Sequence, residues 1–323
     1  MYNLRPRVLW PIFISFAGNS LQMFDRLPSV PSSQELLNKA FRRASHVGGR
    51  QDLKISTAGN VLAENLASLV RGFPSLERLP PFYRDMLDIL VGADAMRISL
   101  SRLQWASRKI RQICKGYAMQ ARREGDGHSA TKAAFGRISS VVKSIDADLE
   151  FLKDARRKLR EMPTIDPEVP TIIIAGYPNV GKSSFLARIT DAKPEIARYP
   201  FTTKGVSLGH FTRDHQRYQV LDTPGLLDRP LQEKNAIERQ TIAALSHLRG
   251  VILFILDPSE HCGYPLASQL HLAETIAAWI QHPMLVAANK ADLAGYEPVP
   301  GMSTLTGEGV DQVLDLLISL LKD

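Results

Sequence analysis

The run Gly176-Tyr177-Pro178-Asn179-Val180-Gly181-Lys182-Ser183 sets two glycines, a lysine and a hydroxyl at fixed spacing after the apolar stretch 171–175. Glycines let backbone N–H groups turn inward around an anion, and a helix beginning at the lysine adds the partial positive charge of its first turn. G-x-x-x-x-G-K-[ST] between a strand and a helix is chemistry for polyphosphate. These eight residues, with Ser184, are expected to line a phosphate site. Lys182 would bridge the β- and γ-phosphates, and Ser183 would ligate Mg²⁺.

Asp222-Thr223-Pro224-Gly225 follows a second apolar run at 218–221. A carboxylate at a strand end facing the phosphate loop would hold the same Mg²⁺, usually through water, and the Gly225 amide would sense the γ-phosphate. Between the two lies Tyr199-Pro200-Phe201-Thr202-Thr203, where one threonine hydroxyl, Thr203 in preference to Thr202, would complete the metal shell only while the γ-phosphate is present.

The base is read further on. In Asn289-Lys290-Ala291-Asp292 the Asp292 carboxylate can accept two hydrogen bonds from guanine N1–H and N2–H₂. Adenine would leave it unpaired, and a site built on such pairing rejects the analogue strongly. Lys290 would lie along the base face and Asn289 would brace the loop. Ser303-Thr304-Leu305-Thr306-Gly307 would offer a backbone N–H to guanine O6. Taken in this order, the motifs predict GTP and GDP as ligands, with Mg²⁺.

Hydrolysis has one weak point. The position after Gly225, where many GTPases place a water-orienting glutamine, holds Leu226, so slow intrinsic turnover is expected. Asn179 is a candidate K⁺ ligand that would neutralise charge developing in the transition state; its other reading is loop stabilisation. Lys182, Thr203, Gly225 and Asn179 are thus the candidate catalytic residues. His210, His215, His247, His261 and His271 fit no metal spacing, and Cys262 reads as packing or loop structure.

Two kinds of element must position these groups. The first half reads as helix: a capping box at Ser32 and Glu35, helical stretches at 52–70, 83–91, 93–123 and 128–161, and a Gly-containing turn at 124–127. Phe135, Ile138, Val142, Ile145, Leu149 and Leu152 fall on one apolar stripe, which predicts an antiparallel bundle. Three prolines in 163–170 mark a linker. Beyond it, candidate strands (171–175, 218–221, 251–256, 284–288, and a short one near Val299) alternate with candidate helices (182–189, 234–248, 265–280, 310–321). That alternation predicts an α/β P-loop GTPase domain, a mainly parallel sheet with helices on both faces. The expected organisation is an extension over 1–22, a basic helical-bundle domain over 23–162, the linker, and the GTPase domain over 171–323.

Charge divides the same way. Residues 1–165 carry 27 Lys and Arg against 15 Asp and Glu, and residues 166–323 carry 13 against 18, so a half at +12 precedes a half at −5. The asymmetry suggests that the first half docks on a polyanion. Candidates are Arg42, Arg43, Arg108, Lys109, Arg111, Lys115, Arg122, Arg123, Arg156, Arg157 and Lys158. At the N-terminus, Arg5 and Arg7 precede an apolar run at 8–17, far short of the ~20 residues that span a bilayer. Residues 1–22 are read as a disordered extension, or Met23 as the true start. The cysteines, Cys114 and Cys262, suit reduced thiols rather than a disulfide framework.

The ordered set GYPNVGKSS, YPFTTK, DTPGLLDRP, NKAD and STLTGEG resembles the Obg-type group of translation-factor-related GTPases. DTPGLLDRPLQEKNAIERQTIAAL and LDPSEHCGY are most similar to the nucleolar GTP-binding protein (Nog) family, with likeness over about 165–320, extended to about Met23 by the helical domain. The resemblance implies action in large ribosomal subunit assembly, the helical domain contacting ribosomal RNA and ribosomal proteins. Because the chain stops soon after its last helix, it looks like a short, archaeal-type member, so cytoplasm is expected over nucleolus. Neither DNA binding nor stable membrane association is expected. Two rivals stay open: a GTP-gated scaffold without appreciable turnover, and a membrane-targeting GTPase.

Overall fold

The computed structural model describes residues 24–123, 127–162, 164–192, 194–197, 205–229 and 233–322. The N-terminal segment with Met23, and the segment holding Thr202 and Thr203, lie outside them.

Among the described residues six α-helices come first: α1 (Ser33–Ser45), α2 (Gln51–Gly72), α3 (Pro81–Val91), α4 (Ala93–Arg123), α5 (His128–Ser144) and α6 (Asp146–Arg160). The capping box expected at the start of α1 is present: Ser32 Oγ accepts from the Glu35 amide at 3.2 Å, and Glu35 Oε2 accepts from the Ser32 amide at 2.8 Å. The long α2 and α4 meet closely at Gly59, where an added Cβ would lie 2.8 Å from Cys114 Cβ. A hydrogen bond from Ser107 Oγ to the Ala63 carbonyl (2.8 Å) closes the same seam.

The helix expected over 128–161 is two helices. Ile145 leaves helical geometry at φ −107°, ψ 13°, and α6 restarts at once with Asp146 and Asp148 in its first turn, where acidic side chains meet the positive end of the helix dipole. Ile138, Val142, Ile145, Leu149 and Leu152 stay buried across the break. The apolar period therefore runs on unbroken, and periodicity alone cannot reveal the interruption.

The proline-rich segment is pinned to both halves. Tyr83 donates its hydroxyl to the carbonyl of Ile165, a fully buried residue. Gln219 accepts from the Asp166 amide (2.9 Å) and donates to its carbonyl (2.7 Å).

After it come β1 (Thr171–Ala175), α7 (Lys182–Ile189), β2 (Glu195–Ala197), β3 (Val206–Arg213), β4 (Gln216–Asp222), α8 (Ala236–Leu245), β5 (Gly250–Leu256), α9 (Leu266–Trp279), β6 (Met284–Ala288) and α10 (Val310–Lys322). The sheet order is β2-β3-β4-β1-β5-β6. β4, β1, β5 and β6 run parallel, and β2 and β3 add an antiparallel edge. All five residues of β1 and all but the first of β5 are buried, as expected of central strands covered on both faces. The strand expected near Val299 is only an isolated bridge between Ala288 and Gly301. β2 and β3 were not foreseen: the β3–β4 turn is Asp214-His215, both at positive φ (51° and 62°), without the Asn-Gly pair that announces such a hairpin. α3 of the bundle packs on α8, and His247, just beyond α8, bonds Asp85 at 3.0 Å.

Candidate functional site

The loops after the parallel strands β1, β4 and β6, with the 303–307 loop beside them, carry the described residues expected to bind nucleotide. β1 delivers the chain into the loop 176–181, and α7 begins at Lys182. The glycines are required by geometry: Gly181 sits at φ +106°, and a Cβ there would collide with the Asn289 amide. Lys182 is buried, and its ammonium donates to the carbonyls of Gly176 (2.8 Å) and Tyr177 (2.7 Å). Tyr177 and Val180 are buried, Pro178 is half-buried, and Ser183 and Ser184 are exposed. Asn179 is exposed and left-handed at φ +63°, as a tight anion-facing loop demands.

β4 pairs with β1 so that Asp222 stands beside Ile174. Ser183 Oγ donates to Asp222 Oδ2 at 2.6 Å. Asp222 is fully buried and its Oδ1 has no hydrogen-bond partner. Burial raises its pKa, opposed by the Ser183 hydrogen bond and the Lys182 charge. A buried acceptor without a donor is costly unless something electropositive meets it. The donor set fits a hard divalent cation, which the Asp222 carboxylate and the Ser183 hydroxyl would hold.

The Gly225 amide, expected to sense phosphate, donates instead to Asp228 Oδ2 at 2.7 Å. Lys234 is buried and donates to the Gly225 carbonyl at 3.1 Å; burial lowers its pKa. The sequence reading missed both Asp228 and Lys234, although an acid within DTPGLLD is a visible signal. Leu226 and Leu227 are buried, so neither faces a nucleophilic water.

β6 delivers Asn289, which knits three segments. Its Nδ2 donates to the Val180 carbonyl (2.7 Å) and to Thr304 Oγ1 (3.0 Å), and its Oδ1 accepts from the Thr304 amide (2.9 Å). The phosphate loop, the 289–292 loop and the 303–307 loop thus share one buried side chain. Ser303 is buried, and its amide donates to the Glu308 carbonyl at 2.8 Å. Arg188 of α7, also missed, donates to the carbonyls of Thr304 (3.0 Å) and Leu305 (2.8 Å). Asp292 is exposed and Leu305 is 81% exposed, so both stand at the open rim. Lys290, at φ +59°, pairs with Asp257 at the end of β5 (2.5 Å).

The arrangement can cradle a polyphosphate between loop amides and an ammonium, hold a divalent cation beside it, and receive a base against a carboxylate a loop away.

Comparison with known proteins gives the chain's relatives. The NOG1 N-terminal helical domain matches residues 24–166, and the nucleolar GTP-binding protein 1 (NOG1) model matches residues 236–292. An uncharacterized protein of Methanocaldococcus jannaschii is 38% identical over 294 residues, which are 85% of this chain and 83% of that one. Nucleolar GTP-binding protein 1 of Drosophila melanogaster is 35% identical over 300 residues, 87% of this chain but 46% of its own length. Among solved structures, a nucleolar GTP-binding protein 1 from Plasmodium falciparum is 36% identical, with a TM-score of 0.46 over 50% of this chain and 90% of that one.

Proposed function

The chain belongs to the nucleolar GTP-binding protein 1 (NOG1) family and is a GTPase, and from that premise we propose that it is a Mg²⁺-dependent switch serving large ribosomal subunit assembly. One observation carries the nucleotide half of this reading: Asn289 joins the phosphate loop to both base loops while Asp222 keeps an unpaired oxygen beside Ser183.

In this reading the amides of 176–181 and the start of α7 hold the phosphates, and Lys182 leaves its two carbonyl partners for the β- and γ-phosphate oxygens. Ser183 and Asp222 would hold Mg²⁺, with Thr203 as the further ligand in the triphosphate state. When bound, the ion neutralises charge on the phosphates and orients them for attack. Gly225 exchanges Asp228 for the γ-phosphate. Asp292 pairs with guanine N1–H and N2–H₂, Lys290 lies along the base, and the 303–305 backbone meets O6. With Leu226 buried, turnover is slow unless a partner or a K⁺ ion at Asn179 assists.

The basic helical half is read as the dock for ribosomal RNA in pre-ribosomal particles. A cleft of about 610 Å³ between α1 and α2 supports this: Lys39, Arg42, Arg43 and His46 line it, with Glu64 as its one acid. Of the other cations, Arg111, Arg122, Arg157 and Lys158 already face acidic partners within the bundle. Cytoplasm is the proposed location; no described helix is long and apolar enough to cross a membrane.

Competition of GTP, GDP and ATP against a fluorescent GDP analogue tests the first half, and ATP competing as well as GTP overturns it. Co-sedimentation with large-subunit particles in GTP and in GDP tests the second, together with filter binding to ribosomal RNA. Affinity should fall with salt at a log–log slope of about −0.9 per duplex phosphate contacted, and a flat salt profile removes the RNA dock.

A further inference from the structure

The loop 257–264, within LDPSEHCGY, takes no part in the reading above, yet it touches the nucleotide site at two places. Asp257 caps central strand β5 and is fully buried. Its two oxygens take four donors. Oδ2 accepts from Lys290 Nζ (2.5 Å) and the Cys262 amide (2.7 Å), and Oδ1 accepts from the Ser259 amide (3.1 Å) and hydroxyl (2.5 Å). Buried Gln269 of α9 locks the loop from beneath. It accepts from the Asp257 amide (2.8 Å) and donates to the carbonyls of Asp257 (3.0 Å) and Tyr264 (2.9 Å). At the far end, the Tyr264 ring stacks on Tyr177 of the phosphate loop, centroids 4.2 Å apart and planes 26° from parallel. Tyr177 is one of the two residues whose carbonyls receive the Lys182 ammonium.

We propose that this loop is a brace across the nucleotide site, in which Asp257 is a positioning residue for Lys290 and Tyr264 a positioning residue for the phosphate loop. Left alone, Lys290 has a long flexible stem that would be ordered only when a base arrives. An ion pair with a carboxylate that is itself fixed by three backbone and hydroxyl donors orders the stem beforehand, and preorganisation lowers the entropy lost on binding. The aromatic stack does the same for the turn that must hold its amides toward the phosphates. Cys262 then has a function in the brace: its amide closes the Asp257 shell, and its sulfur meets Gln269 Nε2 at 3.4 Å.

The inference rests on the assignment of Lys290 to the base pocket, and a double-mutant cycle separates the two. The readout is equilibrium binding of a fluorescent GDP analogue to the full chain carrying Asp257→Asn, Lys290→Met or both. Lys290→Met should raise Kd about tenfold, Asp257→Asn about as much, and the double substitution little more than either, because coupled partners are not additive. Additive losses, or an unchanged Kd for Asp257→Asn with a raised one for Lys290→Met, overturn the brace and leave the base pocket standing. An unchanged Kd for Lys290→Met sinks the pocket assignment and the brace with it. If Asp257→Asn does not fold, Tyr264 decides: Tyr264→Ala should raise Kd about tenfold and Tyr264→Phe, which keeps the stack, should restore it. Equal Kd values for wild type and Tyr264→Ala overturn the proposal.

Discussion

Replacing Asn289 by alanine probes the junction on which the site depends. The substitution deletes two donated bonds and one accepted bond, to Val180, Thr304 Oγ1 and the Thr304 amide. Asn289 is 1% exposed and Val180 fully buried, so water cannot readily replace the lost partners. At a net ~1 kcal/mol per hydrogen bond the loss is about 3 kcal/mol. Because nucleotide binding requires the phosphate and base loops in register, most of it should appear as affinity, roughly a 100-fold rise in Kd for GDP. The melting midpoint of the nucleotide-free protein should fall by only a few degrees. Asn289→Asp is expected to do at least as much harm, because a carboxylate cannot donate to the Val180 carbonyl and sets oxygen against it. Fluorescent-nucleotide titration and thermal melts of the three proteins give both numbers. A Kd within threefold of wild type, accompanied by a large drop in melting midpoint, would refute the claim that Asn289 organises the site.

Lys182→Met, which keeps the stem and removes the charge, should weaken GTP binding by about 10- to 100-fold, the worth of charge-assisted hydrogen bonds; isothermal titration measures it. Asp222→Asn should abolish the difference between nucleotide affinities in Mg²⁺ and in EDTA, and a variant that retains the full difference removes Asp222 from the ion. Gly59→Ala sets a helix-propensity gain of up to ~1 kcal/mol against ~1–3 kcal/mol of overpacking on Cys114. The net is destabilising, so a raised midpoint in urea denaturation contradicts the packing of α2 on α4. Asp52 is bonded to Arg122 and Arg50, and those contacts pull its pKa from 3.8 to about 2. Its contribution is present above 3.8 and disappears as pH falls toward 2, so the stability of Asp52→Asn should approach wild type over that window in an acid titration followed by circular dichroism.

The motifs were legible in the sequence because their chemistry is local. A phosphate loop is a few consecutive residues whose backbone does the binding, so G-x-x-x-x-G-K-[ST] between a strand and a helix announces it without any tertiary information. The bundle, the parallel strands and the capping box at Ser32 were legible for the same reason: short-range period and short-range hydrogen bonds decide them. The break at Ile145 was not, since the apolar stripe continues through it, and neither was the β3 edge, whose turn lacks the usual glycine.

Long-range pairing lay beyond the sequence. Nothing local says that Asp257 meets Lys290, 33 residues away, or that Arg188 holds a loop 116 residues on. Residue types state which groups can donate and accept; only the packed sheet, by bringing the carboxyl ends of β1, β4, β5 and β6 together, decides which of them meet. A buried donor or acceptor must find a partner within about 3 Å, and that distance is set by the fold.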